Sequence, residues 1–231
     1  MATPDSASQR RQLANLGPIE QLRAGRLPRR LVQLLVGLFL YGASMALVIR
    51  ASLGLIPWDV LHVGIIQHVP TSFGVMTILV SLAVLLIWIP LKQRPGVGTI
   101  ANAFLVGISA DLVLHLTPEP DSLVIRLPLL IGAIVLNGLA TALYVGAQLG
   151  PGPRDGLMTG LARVTGRSIR LVRTSIEITV VIVGFILGGT AGLGTVLYAV
   201  AIGPLTQAML PFFTVELRTV PSRPGGGTAG R

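Results

Sequence analysis

The chain has 231 residues, 52% of them hydrophobic and only 12% charged, where a soluble domain carries about a quarter charged residues. Apolar runs of about 20 residues match the thickness of a bilayer core, so the composition excludes a soluble globular protein and indicates an integral membrane protein in contact with lipid. The net charge of +9 falls beside apolar runs, where membrane orientation accounts for it and nucleic acid is not an expected partner; with no cysteine, disulfides and thiolate chemistry are excluded.

Residues 1–30 are polar and carry Arg10, Arg11, Arg23, Arg26, Arg29 and Arg30. They read as a basic cytoplasmic leader, disordered for most of its length, with a surface-lying helix near its end. A cleaved signal peptide is not expected, because the following apolar run is too long and no small-x-small site follows it. The first span is expected over residues 31–50, with Gly42 and Ala46 forming a small-residue face for helix packing. Leu53-Gly-Leu-Ile-Pro-Trp-Asp59 then interrupts the chain. Gly54 loosens the backbone and Pro57 starts a new helix, because a helix's first position has no N–H to lose. A short helix is expected over 57–68, with Asp59 in its first turn at the positive end of the dipole. Span two covers about 72–91 and ends at Lys92-Gln-Arg94-Pro95-Gly96. Span three covers about 97–116 and holds Asn102, Asp111 and His115. The linker 117–126 is short and acidic.

The second half repeats this plan. Residues 31–115 laid on 127–211 without a gap give 22 identities in 85 positions, a shift of 155 − 59 = 96. They include Gly42/Gly138, Gly54/Gly150, Pro57/Pro153, Asp59/Asp155, Gly96/Gly192, Gly98/Gly194 and Thr99/Thr195. A repeat of this kind takes precedence over any local reading. Spans are expected at about 127–147, 168–188 and 192–213, with a second broken segment at 149–165 around Gly150 and Pro153. The tail 214–231 reads as disordered.

Three spans per copy is odd, so the second copy inserts upside down. The loops agree: the leader, Lys92/Arg94, the loop with Arg154, Arg163 and Arg167, and the tail are basic and cytoplasmic, while the loops at 51–59, 117–126 and 188–190 are not. The expected fold is all-α, six spans as two inverted three-span repeats (31–116 and 127–213), in a bacterial plasma membrane with both termini cytoplasmic. Such repeats are a common transporter plan, with a site at the broken helices.

Gly-x-x-x-Ala in span one, Arg50-Ala-x-Leu-Gly-x-x-Pro-Trp-Asp-Val-Leu-His62 and Leu91-Lys-Gln-Arg-Pro-Gly-Val-Gly-Thr99-Ile-x-Asn102 resemble the YczE/YitT-type family of bacterial integral membrane proteins. The match runs over about residues 31–213. The resemblance implies a multi-span plasma-membrane protein and supplies no catalytic residues.

Asp59 and Asp155 head the candidate site residues, as ligand groups or as caps of their helices. Arg154 is expected to pair with its neighbour Asp155, and Trp58 to anchor at the interface. Asp111 and His115 share a helix face and, with Asp59 and His62, are weighed as a proton or metal site; the generic spacing favours no metal. Glu177, four residues after Arg173, reads as an internal ion pair ahead of a proton-coupling group. The Gly-x-Gly pairs at 96–98 and 192–194 read as close packing rather than a dinucleotide fingerprint. No Walker, His-Glu-x-x-His or Gly-x-Ser-x-Gly motif occurs, so neither an enzyme nor a cofactor is expected. The favoured function is a small-solute transporter with its site between the two Leu-Gly-x-x-Pro-x-Asp segments. The alternatives are a substrate-binding membrane subunit of a larger transporter and a non-transporting accessory protein; a homo-oligomer or a partner membrane subunit fits either.

Overall fold

The structure is a computed structural model that describes residues 17–217, all of whose regular elements are helices. These are α1 (Pro18–Arg23), α2 (Leu27–Ala51), α3 (Pro57–Ile66), α4 (Phe73–Trp88), α5 (Val97–Leu116), α6 (Leu123–Gly146), α7 (Pro153–Thr165), α8 (Ile169–Ile186) and α9 (Leu193–Phe213). The starts at 27, 57, 73 and 97 recur at 123, 153, 169 and 193, each 96 positions later. Local chemistry fixes them. Pro57 and Pro153 open α3 and α7, where a missing N–H costs nothing. Ser72 and Ser168 cap α4 and α8, each hydroxyl accepting from the N–H three residues on,. Thr99 and Thr195 reach back to the N–H of Gly96 and Gly192, both at 3.1 Å,.

The two halves interlock crosswise. Gly98 N–H donates to Leu149 O at 2.7 Å, and Gly194 N–H donates to Leu53 O at 2.8 Å. Gly54 (φ +119°) lies against Gly192, and Gly150 (φ +118°) against Gly96. Both loop glycines need the left-handed region and a close backbone approach, so neither tolerates a Cβ. α2 and α6 pack on each other at the centre, while α3 crosses onto α8 and α7 onto α4. The α3–α8 seam sets Val60 and Leu61 against Gly184; the α7–α4 seam sets Gly156 against the ring of Trp88. Positions 60 and 156 correspond, as do 88 and 184, so small and large have changed places. The glycines at 42, 96, 98, 192 and 194 all face backbone of another element, which fits the packing reading.

Among the described residues four helices, α2, α5, α6 and α9, are long and apolar enough to cross a membrane. The expected spans two and five are α4 and α8. α4 has 16 residues, about 24 Å at ~1.5 Å per residue, against a core of about 30 Å. α8 has 18 residues but carries Arg170, Arg173 and Glu177. Several boundaries differ from the sequence reading. α2 begins at Leu27, and Arg30, expected in a disordered leader, is 0% exposed. Its guanidinium donates to Ala147 O at 2.8 Å and Gln148 O at 2.6 Å, just past the end of α6, and to Gln21 O of α1 at 2.5 Å. Residues 123–126 of the expected linker belong to α6. Of the expected disordered tail, Val215 is buried and its N–H donates to Gly146 O at 3.0 Å. Arg10, Arg11 and residues 218–231 lie outside the described residues.

Candidate functional site

The N-terminal ends of α3 and α7 meet at a cavity of about 60 Å³ inside the bundle. One water needs roughly 10–15 Å³ of such space, so several waters or one small solute fit. Five pairs of corresponding positions line it: Ile56/Gly152, Trp58/Arg154, Thr77/Arg173, Ser81/Glu177 and Asn102/Tyr198. The first half contributes the neutral member of each charged pair and the second half the charge. All three tyrosines of the chain, Tyr41, Tyr144 and Tyr198, also line it.

The two aspartates have different surroundings. Asp155 Oδ2 accepts from Tyr144 Oη at 2.5 Å. Asp59 is 0% exposed, and neither of its carboxylate oxygens accepts a hydrogen bond. Its Oδ1 lies 3.4 Å from His62 Nδ1 and 3.9 Å from an Arg154 nitrogen, ion-pair separations only. Neither carboxylate accepts from the backbone of its own helix, so the capping role expected as the alternative is not what their geometry serves. Arg154 does not pair with Asp155. Neighbours on a helix point about 100° apart, so Arg154 turns instead to Asp59 and over the Trp58 ring, 5.0 Å from its centroid. Trp58 is not an interfacial anchor: it is 6% exposed, packs with Val84, Trp88, Leu157 and Val180, and its buried Nε1–H finds no acceptor.

His62 is 0% exposed; its Nδ1 also lies 3.4 Å from Thr77 Oγ1, and its Nε2 is buried without a partner. Thr77 Oγ1 donates to Phe73 O at 2.9 Å and so has only its lone pairs to offer the ring,. Glu177 pairs with Arg173 at 2.8 Å, as the spacing predicts. Asn102 lines the cavity. Asp111 does not join the group: it accepts from Ser72 Oγ at 2.5 Å and Gly74 N at 2.6 Å, fixing the start of α4. His115 is exposed and pairs with neither Asp59 nor Asp111. Gly54, Pro57, Gly150 and Pro153 form the helix breaks, as expected.

The sequence reading missed the tyrosines, Thr77, Ser81 and Asn137. Tyr198 Oη donates to Asn137 Oδ1 at 2.9 Å, and Asn137 Nδ2 donates to Ser44 Oγ at 2.7 Å. The repeat held the signal: Tyr41 corresponds to Asn137 and Asn102 to Tyr198, so two span positions are polar in both halves. A second cavity, about 360 Å³, shares Tyr144, Asp155 and Arg173 with the first and is otherwise lined from α1, α6, α9 and the α6–α7 loop.

Residues 28–211 match a family described only as a family of unknown function, DUF6198. An uncharacterised protein of Haemophilus influenzae is 41% identical over 177 residues, 77% of this chain and 81% of that protein. The uncharacterised membrane protein YczE of Bacillus subtilis is 30% identical over 178 residues, 76% of this chain and 82% of its own length. YyaS of the same organism, also uncharacterised, is 27% identical over 180 residues, 76% of this chain and 90% of YyaS. No solved structure matches.

Proposed function

The chain belongs to the DUF6198 family, which carries no assigned activity, and we propose that it is a small-solute transporter whose site lies where α3 and α7 meet. One observation carries the proposal. The reciprocal bonds Gly98 N–Leu149 O and Gly194 N–Leu53 O seat each half's broken loop on the other half's helix start, so both short helices open onto one shared polar cavity. Discontinuous helices meeting at a repeat interface near mid-membrane are how many transporters build a site. In this reading α4 and α8 complete six membrane segments in two inverted halves, placed in the plasma membrane with both termini cytoplasmic. The solute is moved and not chemically changed.

Purified protein in liposomes is screened for uptake of small labelled solutes, wild type beside Asp155→Asn and Arg154→Gln. Uptake that either variant abolishes supports the proposal. Binding without uptake makes the chain the binding subunit of a larger transporter, and neither binding nor uptake leaves an accessory protein. Because the chain has no cysteine, single cysteines at Lys92, Asp121 and Arg167 report sidedness against an impermeant thiol reagent. The topology requires positions 92 and 167 on one side and 121 on the other.

A further inference from the structure

We infer that the solute is a small monovalent oxyanion, of the carboxylate, nitrate or sulfonate kind, held by the Arg154 guanidinium and the Trp58 indole N–H, and that it binds together with one proton taken up by the Asp59–His62 pair. The inference rests on the transporter reading and names its substrate class.

Both carboxylates lining the cavity have a partner, whereas two of its donors, on Arg154 and Trp58, have no acceptor. Of the two carboxylates lining it, Asp155 is held by Tyr144 and Glu177 by Arg173. Arg154, 17% exposed, has no hydrogen-bond acceptor; its partners are Asp59 at 3.9 Å and the Trp58 ring. Trp58 presents a buried N–H with no acceptor and lines the same cavity. A guanidinium offers paired N–H groups that match two oxygens of one planar anion. The first turns of α3 and α7 add backbone donors at the positive ends of their dipoles,. The cavity of about 60 Å³ limits the anion to a few heavy atoms.

Charge then requires the proton. The lining groups Arg154, Arg173, Asp155 and Glu177 sum to zero, and Asp59 stands behind Arg154. An anion that takes the guanidinium leaves Asp59 a buried carboxylate without its counter-charge, which is costly. One proton from solvent, taken by the carboxylate or by His62 at 3.4 Å, cancels that charge. Tyr41 from α2 and Tyr198 from α9 are close enough to interact with Asp59; Asp155 from α7 and Arg173 and Glu177 from α8 line the same cavity, and α4 brings Thr77 and Phe73 to His62 and Ser81 to the cavity wall, none of them charged.

The test is binding by the full-length protein in lipid nanodiscs, followed by calorimetry and thermal melting. The probes are sodium nitrate and sodium methanesulfonate, whose anions stay ionised, with sodium gluconate as an oversized reference and tetramethylammonium gluconate and urea as cationic and neutral controls. Nitrate or methanesulfonate binding is expected to tighten by up to about tenfold per pH unit between about pH 7.5 and about pH 5.5, the limit for one linked proton. Arg154→Gln weakens it at least tenfold, Arg154→Lys less, and Trp58→Phe, which keeps the ring and loses the donor, several-fold. Asp59→Asn binds without pH dependence, as tightly at the upper pH as the wild type at the lower. Should Arg154→Gln not fold, Trp58→Phe and Asp59→Asn carry the test. Anion binding that ignores these variants, or a wild type without pH dependence, overturns the inference. Binding of tetramethylammonium or urea that Asp155→Asn abolishes overturns the anion and leaves the transporter standing. No binding of any probe, with no uptake in the liposome screen, overturns both.

Discussion

α3 and α7 occupy corresponding places, open on the same Pro-x-Asp and end up in opposite conditions. α3 is sealed: its first turn is wholly buried, its Asp59 and His62 lack hydrogen-bonding partners on three polar atoms, and its outer side is pressed onto α8. α7 is open: Asp155 is half-buried, bonded to Tyr144, and shared with a second cavity lined from α1, α6 and α9. A repeat thus conserves geometry while its chemistry diverges. The backbone contacts are reciprocal to within 0.1 Å in bond length (2.7 and 2.8 Å), whereas Trp58/Arg154 and Ser81/Glu177 share only their position. Close backbone packing restrains both copies alike, and a cavity wall does not.

The largest expected break in this correspondence is at Arg30 and its counterpart Arg126. Arg30→Met strands three carbonyls and is expected to cost at least about 3 kcal/mol, since bonds to a charged donor are worth roughly 1.5–3 kcal/mol each. Arg126 bonds Pro120 O and Glu119 at an open turn, and Arg126→Met is expected to cost under about 1 kcal/mol. Thermal melting of both in nanodiscs decides it; equal losses would remove the asymmetry. Next come the seams. A Cβ at Gly184 meets the backbone of Val60 and Leu61, and Gly184→Ala is expected to cost about 1–3 kcal/mol. Gly54→Ala and Gly150→Ala, with nearly equal φ and reciprocal neighbours, are expected to destabilise by equal amounts, and a difference of more than about 1 kcal/mol would show that the interlock is one-sided.

Smaller effects sharpen the contrast between the two aspartates. Asp155→Asn and Tyr144→Phe are each expected to lose about 1 kcal/mol, the double variant losing less than their sum. Asp59→Asn removes a buried carboxylate that accepts no hydrogen bond but also faces Arg154 at 3.9 Å; the two effects oppose each other, and its melting temperature is expected within a few degrees of the wild type. The smallest effect is Gly132→Ala, in a helix and with nothing near its Cβ, expected to gain up to about 1 kcal/mol.

Much of this was legible in the sequence because the punctuation is local. Pro57, Ser72, Gly96 and Thr99 act within three or four residues, and their copies 96 positions on repeat the same acts. The site was half legible: the repeat exposed Asp59, Asp155, Trp58, Arg154 and Asn102, but adjacency in sequence suggested the wrong partner for Arg154. Asp111 could not be placed, because its partners Ser72 and Gly74 lie 39 and 37 residues away. Burial of Arg30 was hidden for a related reason, as its acceptors are backbone carbonyls that no side-chain pattern announces. In helices apolar on every side, periodicity also gave no sign of which face Trp58 turns inward.

The crosswise seating of the two loops sets an order on how the protein is made. Leu53 is synthesised 141 residues before Gly194, the residue whose N–H its carbonyl accepts. As the ribosome delivers the first four-helix set to the membrane, the groove at Gly54 has nothing to close it, and it stays open until the last helix emerges. The first half is therefore an unfinished piece through most of its own insertion, and a chain truncated before α9 is expected to melt at a lower temperature than the full chain.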